Sequence, residues 1–105
     1  MADIRAFFTE YLPAKLAKNP TIASEINNVY QFNLGDGGSW IVDLVGGNAN
    51  VSEGTHAAPG CVVTAASADF AKLLDSPSAA MTLFMTGKLK VSNMSLGMAL
   101  QKLLG

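Results

Sequence analysis

The chain has 105 residues, half of them apolar, with seven basic and eight acidic side chains for a formal charge of −1. That is the size of one domain with apolar matter enough for a real core, and 14% charged residues makes it electrically quiet beside the usual ~25%. Nucleic-acid binding needs a basic stripe, and an anionic membrane anchor needs a basic cluster; six lysines and Arg5 dispersed along the chain make neither.

The first residues, MADIRAFFTEY, put Asp3 and Arg5 where a secretory signal would need an apolar run. Ile4, Phe7, Phe8, Tyr11, Leu12 and Leu16 instead follow the spacing of an amphipathic helix over 3–18. Pro13 interrupts it, so the helix either kinks there or restarts with Pro13 in its first turn, and Asn19-Pro20 ends the segment. Tyr30, Phe32 and Leu34 then alternate up to Gly35-Asp36-Gly37-Gly38-Ser39, and Trp40, Val42 and Leu44 alternate after it. That is a hairpin. Asp43 points to the opposite, solvated face. Gly46-Gly47 turns the chain toward a weaker strand at 48–52, residues 53–60 (EGTHAAPG) form a loop, and 61–65 is a fourth strand.

Ser67 is expected to cap a helix over 68–74 with Phe70, Leu73 and Leu74 inward. Ser76-Pro77 opens the next helix, which carries Ala80, Met81, Phe84 and Met85 and stops at Gly87. A fifth strand covers 88–91, with lysines on one side and Leu89 and Val91 on the other; Asn93 caps the last helix, and Gly105 ends it. The order α-β-β-β-β-α-α-β-α describes an α+β domain over 1–105, a five-stranded sheet covered on one side by helices. No apolar run approaches the 18 residues of a membrane span, and a single cysteine, Cys61, excludes an internal disulfide framework and fits a reducing compartment.

On a helical wheel, Leu96, Leu100, Leu103 and Leu104 occupy one core-facing stripe, while Met94 and Met98 fall on its flank. Met81 and Met85 flank Phe84 in the helix before, so four of the five methionines lie in the last quarter of the chain. Methionine is often just gap-filling core. The sharper reading is a hydrophobic cavity that accepts ligands of variable shape, because flexible thioethers repack around different guests. Gly97, mid-helix, costs about 1 kcal/mol against alanine, and its usual benefit is close backbone approach or room left for something else.

Several stretches carry a resemblance: the apolar N-terminal helix, QFNLGDGGSWIVDL at 31–44, VVTAASADFAKLL at 62–74 and, most specifically, LFMTGKLKVSNMSLGMALQKL at 83–103. In this order and over nearly its whole length the chain resembles the sterol carrier protein-2 family of small lipid-binding domains. Two departures are visible. Members commonly have a glycine where Ser92 runs straight into Asn93, so this turn is expected to draw on asparagine's tolerance of unusual dihedrals; the loop around Ala57–Ala58 is also less charged. The resemblance implies a five-stranded sheet under helices, an apolar tunnel between them, binding of fatty acids, fatty acyl-CoA, phospholipids or sterols, and no catalysis. Members often sit at the end of larger peroxisomal enzymes and close with a targeting tripeptide; Leu103-Leu104-Gly105 is not of the S-K-L type, and a cytoplasmic location is expected.

The residues themselves offer little reaction chemistry. His56 lies in the 53–60 loop, and Cys61 reads as an inert buried thiol. The glycine turn at 35–38 lacks the G-K-[ST] of a phosphate loop. One histidine and one cysteine do not make an ordinary zinc site, and no cofactor is expected. Hydrophobic binding is easier to support: at about 0.8 kcal/mol per methylene, a 16-carbon tail offers roughly 10 kcal/mol gross. The expected ligand is a long-chain lipid, held in a tunnel between the sheet and the last two helices that is lined by Phe84, Met85, Leu89, Met94, Met98 and Leu100, with Phe70 and Trp40 as further lining candidates. Transient membrane contact is open, as are monomer and homodimer. The alternative is a protein-interaction or dimerisation module with a closed core, its methionine flank a protein contact.

Overall fold

The computed structural model describes residues 3–47 and 49–104, except for the side chains of Pro77, Gln101 and Leu104. Its strands are Val29–Asn33 (β1), Ser39–Asp43 (β2), Asn50–Glu53 (β3), Cys61–Ala65 (β4) and Leu89–Val91 (β5). They form one mixed sheet in the order β3-β2-β1-β4-β5. β1 pairs antiparallel with β2 and parallel with β4, and β5 closes the far edge antiparallel to β4. Strand alternation sends Tyr30, Phe32, Trp40, Val42, Cys61, Val63, Ala65 and Leu89 into the core. The five-stranded α+β arrangement matches the expectation from the pattern. Glu53 belongs to β3 rather than to the loop, Lys88 lies just outside β5, and the expected start of β3 at Asn48 lies outside the described residues.

The first helix runs over 4–18 as Ile4–Ala6 (α1), a widened π turn at Phe7–Tyr11, and Leu12–Lys18 (α2). Asp3 Oδ1 caps it by accepting from Ala6 N–H at 3.1 Å. The π turn resolves the Pro13 question. Proline has no N–H to give and crowds the carbonyl four residues back. The turn ahead of it therefore widens, and Leu12 N–H reaches Phe7 O while the backbone stays right-handed. Pro20, expected only to end this segment, opens a further short helix, Pro20–Ile26 (α3), where its fixed φ suits the first helical position. Only Ala23 and Ile26 of α3 are buried, so its apolar pattern is too sparse to read.

Ser67–Asp75 (α4) begins one residue earlier than expected. Ala66 occupies the cap position without a side-chain hydrogen bond, so Ser67 is not the cap. After a 3₁₀ turn at Pro77–Ala79 come Ala80–Met85 (α5), β5, and Met94–Leu104 (α6). Asn93 caps α6 as expected, its Oδ1 accepting from Leu96 N–H at 3.1 Å. The unusual dihedrals expected there are absent, however: Asn27, at the end of α3, is the non-glycine residue with positive φ among those described. Ser92 Oγ instead ties the turn to β4 by accepting from Val62 N–H at 2.8 Å.

The core is aromatic on the side of α1 and α4. Phe8 lies stacked between Trp40 (centroids 5.0 Å, planes 9° apart) and Phe70 (5.8 Å, 7°), with Phe32 edge-on at 5.1 Å. Arg5 lies over the Trp40 ring at 5.3 Å and pairs with Glu53 at 3.3 Å. On the opposite face of the sheet Gln31, 2% exposed, holds down the 54–60 loop. Its Nε2 donates to Gly54 O at 3.0 Å and its Oε1 accepts from His56 N–H at 2.6 Å. Phe8→Ala is expected to cost about 3–5 kcal/mol in urea unfolding. Tyr11→Ala, at a side chain 69% exposed, should stay within about 0.5 kcal/mol.

Candidate functional site

Two helices of different length present the same spacing to one another. In α5 it is Met81, Phe84 and Met85; in α6 it is Met94, Gly97 and Met98, each triplet at i, i+3, i+4 and so on one helix face. Between the two faces lies an open apolar cleft of about 210 Å³, floored by Leu89 and Val91 of β5. Met81, Met85, Met94 and Met98 are 63, 79, 57 and 73% exposed, so none of them is consumed in filling the core. Of the remaining large apolar side chains described, only Tyr11 and Val45 are comparably exposed. The methionines therefore form one patch rather than a scatter, which is what marks a surface that takes a partner or ligand.

Of the side chains expected to line an apolar site, the structure brings Phe84, Met85, Leu89, Met94 and Met98 together at this cleft. It places the other three elsewhere. Leu100, on the opposite side of α6, is 2% exposed in the core, and Phe70 and Trp40 stack on Phe8. Ala80, Met81, Val91 and Gly97 complete the lining. Two of these were available from pattern alone, since Val91 shares the strand face of Leu89 and Met81 lies one helical turn before Met85.

The two walls are fastened differently. α6 is tied to the sheet by buried polar threads: Tyr30 O–H donates to Leu96 O, and Cys61 S–H donates to Asn93 O at 3.7 Å. Gly97 lets α6 lie against β5, because a Cβ there would meet Val91 Cγ2 at 2.9 Å. Burial, reinforced by the Cys61 thiol, holds the Tyr30 phenol well above its ordinary range and so keeps it a donor. α5 has no side-chain cap at its start, buries Leu83, and ends at Gly87 with φ +77°. Its own tie is local, Thr86 Oγ1 donating to Thr82 O at 2.9 Å.

A larger hollow, about 450 Å³, lies at the other end of the molecule by sequence, between Asp3, Arg5, Asp36, Glu53 and Ser67. Three carboxylates line it, and Arg5 already answers Glu53. Ile4, Ala68 and Ala71 add apolar surface, but the charged groups make this hollow less suited to an acyl chain than the methionine cleft. Cys61 is buried on Asn93, and His56 Nδ1 accepts from Ala58 N–H at 3.0 Å, so the hydrogen bonds of these two residues do not join them. Among the described residues no three His, Cys, Asp or Glu side chains gather for a metal ion, and no helix is long and apolar enough to cross a membrane.

The model of the SCP-2 sterol transfer family matches residues 8–105, and the chain belongs to that family. Sterol carrier protein 2 of Gallus gallus is 33% identical over 85 residues, which is 75% of this chain and 16% of that protein, so the chain spans about a sixth of the curated relative it matches. Sterol carrier protein 2 from Yarrowia lipolytica, in its apo form, superposes with a TM-score of 0.73 at 28% identity, covering 96% of this chain and 83% of that one. Palmitated SCP2L2 from Aedes aegypti superposes with a TM-score of 0.69 at 24% identity, covering 94 and 92%.

Gly97→Ala is expected to destabilise by about 1–3 kcal/mol through the clash with Val91, despite alanine's better helix propensity. Val91→Ala should relieve it, leaving a coupling above ~0.5 kcal/mol in a double-mutant cycle read by urea unfolding. Tyr30 also carries a pH signature. Its folded pKa is raised above the unfolded value of 10.0, so its contribution is intact below pH 10 and is lost as pH rises beyond it. Tyr30→Phe should lack that loss, about 1.4 kcal/mol per pH unit, in parallel melts above pH 10.

Proposed function

We propose that this chain binds long-chain lipids (fatty acids, fatty acyl-CoA, phospholipids or sterols) and carries them without chemical change, as a single unit over 1–105. The acyl chain is seated in the cleft between α5 and α6. The observation that carries this reading is the set of four exposed methionines facing one another over Leu89 and Val91. Membership of a lipid-binding and transfer family supports it, and so does a similar fold described as palmitated. The headgroup stays at the open side, where no charged pocket is needed.

At about 210 Å³ the cleft is smaller than the roughly 300–1,000 Å³ of ordinary ligand pockets, so a long chain enters only if a wall gives way. α5 is the wall that moves. It lacks the buried hydrogen bonds that hold α6, and methionines can repack on both sides as it shifts.

Mass spectrometry of protein purified without denaturation should find bound acyl lipid, and unlabelled fatty acids should displace a fluorescent one. Met98→Lys, which puts a charge at the mouth on a side chain 73% exposed, should weaken that binding at least about tenfold, because burying the ammonium disfavours occupancy. Its melting temperature should hardly change. Failure of every long-chain lipid to bind at micromolar concentration would refute the reading.

A further inference from the structure

Among the described residues, sulfur sits in two opposed settings. The Cys61 thiol is wholly buried and spends its hydrogen on Asn93 O. The thioethers of Met81, Met85, Met94 and Met98 belong to side chains more than half exposed, and all four line the one cleft between α5 and α6. Sulfur oxidation follows access, so an oxidant in solution meets these thioethers before it meets the thiol.

We propose that the four cleft methionines are a modification site at which hydroperoxides switch lipid binding off. A sulfur lone pair attacks one peroxide oxygen, and the S–O bond forms as the O–O bond breaks. The departing hydroxide or alkoxide takes the proton of the transferred oxygen and leaves as water or alcohol. The thioether is oxidised by two electrons to the sulfoxide, and the peroxide is reduced by two. A sulfoxide is polar and chiral. In the open cleft its oxygen stays in water, and none of the four side chains belongs to the core, so the fold tolerates the change. A seated acyl chain strips that water and offers no hydrogen-bond donor in return, which costs affinity. By the same geometry cargo lying over the sulfurs shields them, so the empty carrier is modified first. Methionine sulfoxide reductases, one for each sulfoxide epimer, reverse the step. This inference rests on the lipid-carrier reading and adds the regulation of its site.

The test treats the whole chain with millimolar hydrogen peroxide and follows binding of a fluorescent fatty acid. Peptide mass spectrometry should find sulfoxide on Met81, Met85, Met94 and Met98, with the Cys61 thiol still titratable after denaturation. Affinity should fall at least about tenfold, while the circular dichroism melt hardly moves. Bound palmitate should slow oxidation of these four several-fold, with free methionine in the same sample oxidised at its usual rate. Sulfoxide reductases supplied with dithiothreitol should restore binding. The joint change Met81→Leu, Met85→Leu, Met94→Leu and Met98→Leu should leave affinity indifferent to peroxide, whatever its own starting value. Undiminished binding with all four sulfurs oxidised overturns the proposal. So does equal oxidation of loaded and empty chains, or a loss of binding that tracks Cys61 and survives the reductases. Absence of binding before any peroxide is added refutes the carrier reading itself.

Discussion

Phe8 stands between two parallel rings, Trp40 from β2 and Phe70 from α4, with Phe32 edge-on beneath. This stack joins the first helix, the central hairpin and the helix after β4 in one contact, and aromatic pairs add energy beyond the area they bury. It also settles where the interior is solid. Four aromatic rings are spent in that stack, whereas the cleft between α5 and α6 is lined by one, Phe84. The methionines of the late helices are left over, and they face one another across an opening while Leu83, Leu100 and Leu103 meet the core.

The same division separates rigidity from give. α6 is held where the buried Tyr30 hydroxyl and the Cys61 thiol reach its first turn, and Gly97 lets it lie on Val91. α5 has a glycine at its end and bonds chiefly to itself. One fixed wall and one loosely tied wall, both faced with thioethers, suit a site that accepts guests of varied outline. The polar hollow beside Asp3, Asp36 and Glu53 is larger, but its carboxylates suit water better than lipid. Size alone does not choose the site.

Much of this was legible from pattern. Strand alternation in 30–44 and 61–65 places the side chains that now fill the core, and the wheel position of Met94 and Met98 already separates them from the seam of Leu100 and Leu103. Pattern failed where an element is short or a contact is non-local. α3 buries two side chains, too few for a period. The π turn answers a steric demand of Pro13 that periodicity does not register. Leu100 is apolar and shares a helix with Met94 and Met98, yet it faces the core, while Trp40 and Phe70 both stack on Phe8 of the first helix. Tyr30 reaching Leu96 spans sixty-six residues of sequence, and nothing local announces it.

The seating of an acyl chain between α5 and α6 is tested most directly by the methyl signals of the methionines. With methyl-labelled methionine and isoleucine and a fatty acid carrying a nitroxide near its chain end, the signals of Met81, Met85, Met94 and Met98 should broaden together on titration. Sharp methionine signals, alongside broadening of the Ile4 methyls that line the acidic hollow, would place the lipid elsewhere and contradict this structure's reading.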